Sequence, residues 1–301
     1  MFFAEQVLNG VGYGLLLFLI AAGLSLIFGV MHLVNLAHGS LYMVGAFALA
    51  GLASFTGNYA LSAVGAVLAV AALAFVLEFL VIRRLYRLTQ LQQVLATFGL
   101  ILFFNDALRW LSGGLPLFVP TPAALSGTAV LPGGIPYSEY RLAVMLVSLS
   151  LAVAMWLLIA RTKAGMLVRA AASNPAMVRH IGYDVGVTST LVFVAGATLA
   201  GVAGILIGPM VSIEVGMGEQ VLILAFVIVV IGRMGSIQGT FFAALLVGLI
   251  DSLGRSYAPF LIGSSFDARQ MASAAPAITA TLVYVLMTVV LILRSEGGTN
   301  R

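Results

Sequence analysis

No charged residue occurs between Glu5 and Glu78, an unbroken interval of 72 positions. A soluble fold cannot absorb so long a run, because coating it would take more polar sequence than the chain has. A bilayer core of about 30 Å is crossed by a helix of roughly 20 apolar residues, so the interval holds three crossings. Polar, Gly-containing breaks at 32–39 and 56–59 cut it into spans near 8–30, 40–56 and 60–82. Further charge-poor stretches predict spans near 93–112, 141–160, 187–213 and 274–294. The stretches 219–233 and 233–251 are shorter and read as two short helices or a re-entrant pair. The expected fold is all-α, a polytopic membrane protein with eight or nine transmembrane helices, some of them broken.

Composition agrees. Of 301 residues, 62% are hydrophobic and 8% charged, against about 25% charged in soluble domains. A net charge of +4 from 14 Lys and Arg is too sparse to form a nucleic-acid stripe. It reports orientation instead. With the loop holding Arg83, Arg84 and Arg87 cytoplasmic, alternation through nine spans also puts Arg161, Lys163, Arg169, Arg179, Arg233, Arg294 and Arg301 inside. Arg109, Arg141, Arg255 and Arg269 fall outside. The amino terminus is then outside and the carboxyl terminus cytoplasmic. The first span lacks the basic start and small-residue cleavage site of a secretory signal, so it is expected to stay as an anchor. Absence of cysteine excludes disulfides and thiolate chemistry.

The chain is expected to form one transmembrane domain over 1–301. Its one sizeable outer-face loop, 113–140, holds five of the nine prolines. Small residues repeat every four positions at Gly196, Ala200, Gly204 and Gly208, and again at Gly10 and Gly14, a spacing that brings helix backbones close where lipid gives no hydrophobic drive.

Residues 161–186, RTKAGMLVRAAASNPAMVRHIGYDVG, gather charge in an otherwise nearly uncharged chain. Asn174 is a good helix N-cap, Pro175 suits the first helical position, and Gly182 sits where a left-handed residue stops a helix of about two turns. So short a helix must dock to be stable. Met177, Val178 and Ile181 form its apolar face, with Arg179 and His180 turned away. It rests on the protein's own helix ends or lipid interface, or it meets a cytoplasmic partner.

The layout Thr162, Gly165, Arg169-Ala170, Asn174, Ala176 and Gly182 resembles the ATPase-contacting loop of bacterial ABC importer permeases, and the chain resembles the LivH type of branched-chain amino acid permease. Three more blocks carry the resemblance: NLAHGSLYMVGAF at 35–47, Ala96-Thr97-Phe98-Gly99 leading to Asn105, and AFVIVVIGRMGSIQG at 225–239. It departs at Ser40, where the family usually has an acidic residue, at Gly232-Arg233 for a Gly pair, and at Arg84-Leu85-Tyr86-Arg87 for Arg-Pro-Leu-Arg. The resemblance implies half of a two-permease pore in the bacterial inner membrane, with a second permease subunit, two ATP-binding subunits and a periplasmic substrate-binding protein. It implies ATPase-coupling contacts at Gly165, Arg169, Asn174, Ala176, Val178, Ile181 and Gly182. The subunit itself needs no cofactor or metal, ATP being bound by its partners. Leucine, isoleucine and valine are the implied substrates, with other amino acids, amides or urea left open.

Pathway candidates are the polar breaks, where helix-terminal groups can replace the water around a zwitterion. They are Asn35, His38, Gly39 and Ser40 in one break, and Glu214 and Gly218 in the other. His38 reads equally as a helix cap at the interface. Gly29, Asn35, Gly39, Ala46-Phe47 and Gly208, Glu214, Gly218, Ala225-Phe226 keep the same spacing, and the topology runs the two copies in opposite directions. This is the pattern of an inverted repeat, although a Gly-rich chain also produces such matches by chance. Asp106–Arg109 and Asp251–Arg255 are spaced to pair on helix faces near the outer surface, and Glu78 sits beside Arg83 and Arg84. That placement isolates no acid at mid-membrane.

The alternative is a secondary transporter or channel for a small polar solute. An enzyme is disfavoured: there is no G-x-x-x-x-G-K-[ST], the only lysine being Lys163, and no H-E-x-x-H or G-x-S-x-G, while His32, His38 and His180 form no metal-spaced cluster. Asn174-Pro175-Ala176 spells the aquaporin tripeptide, but only once and in a basic loop.

Overall fold

The computed structural model describes residues 2–262 and 268–298, with side chains described at 2–257 and 277–292. The side chains of Arg269 and Arg294, and all of Arg301, lie outside the described residues. Twelve helices and a hairpin follow in order: α1 (Phe2–Met31), α2 (His38–Thr56), α3 (Tyr59–Leu77), α4 (Arg83–Leu85), α5 (Gln90–Ser112), β1 (Thr128–Leu131), β2 (Ile135–Ser138), α6 (Glu139–Arg161), α7 (Lys163–Ser173), α8 (Pro175–His180), α9 (Val185–Ile207), α10 (Met217–Gly232), α11 (Ile237–Ile262) and α12 (Ala268–Gly298). Among the described residues seven helices are long and apolar enough to cross a membrane, and two shorter apolar ones, Met217–Gly232 and Ala277–Ile292, accompany them. The protein is an all-α, multi-pass membrane protein.

Depth in the bundle does not follow apolarity, since α1 and α6 are almost equally apolar. The apolar window of α1 is 83% buried, whereas those of α5 and α6 are 22% buried. So α1 is the central post, packed by α9, α10, α11 and α6, while α5 and α6 present most of their apolar surface outward. Helix α3 passes through a π-helical turn, Glu78–Ile82, into α4, and the crossing continues as Tyr59–Leu85. Helix α11 runs past Asp251, where a charge-free criterion would end it. The Asp251–Arg255 ion pair at 2.9 Å neutralises the charge on the helix itself.

The small-residue stripes lie at helix crossings. Gly196 faces Gly23, Gly204 faces Tyr42, and Gly10 and Gly14 sit on the backbone of α11, where a Cβ on Gly14 would stand 2.8 Å from the Ala244 carbonyl. One end of the bundle carries the amino-terminal end of α1 and the β1–β2 hairpin, bonded through Tyr137 and Arg141 to Asn9. The segment 113–140 is thus not wholly irregular: Thr128 pairs with Ser138 and Leu131 with Ile135, and Leu117 pairs with Ile213 after α9. The opposite end carries Arg83, α7 and α8.

The expected repeat has a structural counterpart. Helices α1 and α9 run antiparallel against each other, each is followed by a short break, and α2 and α10 start after those breaks, meeting at Gly39 and Gly218. The same register that matches the glycines matches the helix starts, His38 and Met217.

Candidate coupling and translocation sites

On the basic end, Thr162 turns the chain from α6 into α7. Its hydroxyl donates to the Leu158 carbonyl at 2.6 Å and accepts the Gly165 N–H at 3.0 Å. Gly165 is buried, and any side chain there would collide with the Leu158 and Ile159 carbonyls, so α7 can fold back only on a glycine. Arg169 donates to the Ile159 carbonyl and completes the hinge. Helix α7 itself is amphipathic, with Gly165 and Ala171 buried.

Helix α8 forms as its punctuation dictates. Asn174 Oδ1 accepts the Met177 N–H at 3.0 Å, Pro175 opens the helix, and Gly182 stops it at φ +89°. Only Val178 turns inward, 2% exposed, whereas Met177 and Ile181 are 58% and 59% exposed. The predicted three-residue apolar face is therefore divided: one residue anchors the helix on its own protein and two stand free. Ala176 is exposed and its carbonyl takes His180 Nδ1 at 2.7 Å. Asp184 then caps α9 through the Gly186 N–H at 2.7 Å.

Beside this segment Glu78 is fully buried. Arg83 reaches it at 3.3 Å and also donates to Thr190 of α9 at 2.9 Å, and the Tyr86 hydroxyl donates to Glu78 at 3.3 Å. A lone buried carboxylate would be costly, and this network offsets the cost while tying the π-turn to α9.

The breaks are deeper than the sequence suggests. His38 Nε2 donates to the carbonyl of Ile20, eleven residues before the end of α1, at 3.1 Å. At 1.5 Å per residue that is roughly 16 Å from the helix end, so residues 32–37 fold back and α2 starts inside the bundle. His38 is no cap, since the capping position is Ala37. It ties the start of α2 to the central post. Asn35 Oδ1 accepts the Ala37 N–H at 3.0 Å, and Asn35, His38 and Ser40 are all at most 2% exposed. Gly39 lies backbone to backbone with Gly218. Glu214 instead is exposed, accepting from Ser212 at 2.6 Å. The structure thus brings five of the six pathway candidates into the interior and leaves Glu214 at the surface.

One acid was misplaced by the sequence reading. Glu219 sits in the first turn of α10, one residue past the crossing, and its Oε1 accepts from Asn105 at 2.5 Å, while Glu219 Oε2 and Asn105 Oδ1 are buried with no hydrogen-bond partner. A carboxylate within the bundle therefore exists. It was missed because the break before it was placed at the surface. On the hairpin end, burial raises the Tyr137 phenol above its ordinary value, with Arg141 beside it pulling the other way. The phenol stays protonated and donates to Asn9 at 3.0 Å.

A family described as "Branched-chain amino acid transport system / permease component" matches residues 6–293. The chain belongs to that family. It is 27% identical to the high-affinity branched-chain amino acid transport system permease protein BraD of Pseudomonas aeruginosa, covering 84% of this chain and 86% of the relative. It is equally 27% identical to LivH of Escherichia coli K12, over 85% and 87%, and 26% identical to a probable LivH permease of Methanocaldococcus jannaschii, over 87% and 84%. No solved structure matches. Among these permeases the departure at Arg233 gains a physical meaning: this residue has φ +72°, a conformation that favours glycine, and glycine is what the resemblance leads one to expect there.

Proposed function

We propose that this permease is the transmembrane subunit of an ABC importer that moves branched-chain or related amino acids across the bacterial inner membrane. ATP is bound and hydrolysed by two partner subunits, and the permease, itself no enzyme and holding no cofactor, pairs with a second permease and receives substrate from a periplasmic binding protein. The observation that carries this reading is α8, held in place by one buried residue while Met177 and Ile181 remain exposed on the basic end beside Arg179. A capped helix anchored through Val178 is a rigid knob for a partner. The whole chain then acts as one transmembrane domain, with 161–186 cytoplasmic and 113–140 on the outer face. ATP-driven closure of the partners would press on α7 and α8, which both pack directly on α9.

The test is Gly182→Asp in the reconstituted complex. Aspartate at φ +89° is strained, and it places an acid beside the knob. The variant is expected to reach the membrane and lose substrate-stimulated ATP hydrolysis and leucine uptake together. Unchanged hydrolysis and uptake would overturn the docking role. A second reading, secondary transport, draws on Glu219 inside the bundle. It requires leucine uptake driven by a proton gradient without ATP, and collapse of uptake on adding an ionophore would favour it.

A further inference from the structure

Three cavities run along one side of α1. At the hairpin end, one of about 260 Å³ lies between α1, α6 and α11. A second, of about 370 Å³, is walled by Phe18, Val153, Trp156 and Phe241. A third, of about 380 Å³, reaches Ser25, Gly29 and Arg169 toward the basic end and shares Trp156, Ile237 and Gln238 with the second. The walls are α6 and α11, which each pack on α1. The result is a groove in pieces, lined by α1 between Gln6 and Leu16, at Phe18, and between Ser25 and Val30, and the hairpin-end cavity shares no lining residue with the other two. Asn35, His38 and Ser40 line none of these three cavities.

Polarity along the groove is ordered. The hairpin-end cavity gathers Arg141, Arg255 and Asp251, two cations and one anion, above a patch made by Leu16, Val144 and Met145. Arg255 holds Asp251 at 2.9 and 3.1 Å, and Arg141 donates to Asn9 at 2.8 Å. A guanidinium has five N–H donors, and these bonds use two on Arg255 and one on Arg141. The Asp251 side chain is only 11% exposed and that of Arg255 is 53% exposed, so the cationic side of the pair is the accessible one. The second cavity is aromatic and aliphatic apart from Gln238, and the third adds Ser25, Ser236 and Arg169.

We infer that the hairpin-end cavity is a binding station for a zwitterionic α-amino acid with an apolar side chain. The inference rests on the transport reading above and assigns that reading a place. Carboxylate would face Arg141 and Arg255, ammonium would face Asp251, and the hydrocarbon would lie on Leu16, Val144 and Met145. Taking both charges of an amino acid out of water is costly unless charge-assisted hydrogen bonds replace the hydration. Here both signs stand beside an apolar wall. The volume, about 260 Å³, lies just below the roughly 300–1,000 Å³ of drug-sized ligand sites, as fits a ligand as small as an amino acid.

The chain has no cysteine, so single cysteines can be read without background. In the full complex in proteoliposomes, Met145→Cys is exposed to an anionic, membrane-impermeant methanethiosulfonate, with Val76→Cys on the outward face of α3 as the control. The thiol reacts only as thiolate in contact with water, so Met145→Cys is expected to react and Val76→Cys is not. Saturating leucine with the system's binding protein should slow the reaction about tenfold by occupancy, while glutamate should not. Ser252→Cys on the opposite wall carries the test should Met145→Cys fail to reach the membrane. A Met145→Cys as inert as the control means a lipid-filled groove, and labelling indifferent to leucine means a wet cavity that is no station. Either result, with wild-type leucine uptake intact, sinks the inference alone. Absence of uptake by the wild-type complex removes the transport reading as well.

Discussion

Arg233 is the residue where local conformation and side chain disagree most plainly. At φ +72° a Cβ costs of order 1–3 kcal/mol, and the turn from α10 into α11 nevertheless demands that geometry, because Gly232 packs against Gly239 and Thr240. Arg233→Gly is therefore expected to stabilise the permease by about 1–3 kcal/mol, read as a higher melting temperature in detergent. An unchanged or lower melting temperature would show that the strain is offset by a contact of the guanidinium. His38 works in the other direction. Its bond to the Ile20 carbonyl joins two helices inside the bundle, where such bonds are worth about 1–2 kcal/mol. His38→Leu should lower stability by that amount while leaving ATPase docking intact, and thermal melting set against partner pull-down separates the two. The sequence singled out both residues, Arg233 as a family departure and His38 within a polar break. Depth leaves no mark on residue type at His38, and at Arg233 the angle was hidden because the residue there is not the glycine that such a φ favours.

Elements were legible where their signal is local. Apolar length located the crossings, and Asn174, Pro175 and Gly182 located α8 within a residue of its ends. Two features escaped. The far end of α11 was cut short because Asp251 and Arg255 were counted as charges rather than as a neutral pair. The re-entrant course of 32–37 was hidden because His32, Asn35 and the apolar residues beside them read alike whether they lie at the membrane surface or fold back beneath it. What fixes the fold-back is the approach of α2 to α10 at Gly39 and Gly218, where two backbones touch and neither glycine has room for a side chain. Gly39→Leu is expected to destabilise by more than the 1–3 kcal/mol usual for overpacking, since backbone cannot yield as a side chain can, and to abolish accumulation in the membrane. Gly51→Leu, on the same helix with nothing within 4 Å of its Cβ, should accumulate normally. Equal loss in both variants would mean that the added bulk anywhere on α2, not the crossing, decides, since leucine has the better helix propensity of the two residues.

At the scale of the whole molecule the bundle has two unlike ends, and the sparse charge tells them apart. Among residues with described side chains, Arg83, Arg84, Arg87, Arg161, Lys163, Arg169, Arg179 and Arg233 belong to the end with α7 and α8, and only Arg109, Arg141 and Arg255 to the end with the hairpin. Basic residues in short loops are retained on the cytoplasmic side, so the asymmetry predicts α8 inside and the first residues of α1 outside. The two structural halves strengthen this expectation, because an inverted pair of α1–α2 and α9–α10 forces their breaks to open toward opposite faces. Phe3 is 60% exposed at the hairpin end and Met177 is 58% exposed at the other, which makes them matched reporters. In intact cells an impermeant maleimide should label Phe3→Cys and spare Met177→Cys, and in inside-out vesicles the pattern should reverse. A cysteine-free chain leaves no other thiol of its own to confuse the reading. Labelling of Met177→Cys from outside would invert the molecule. It would put the α8 knob where no ATP-binding partner works, and the coupling proposal would fall with it, whatever the substrate proved to be.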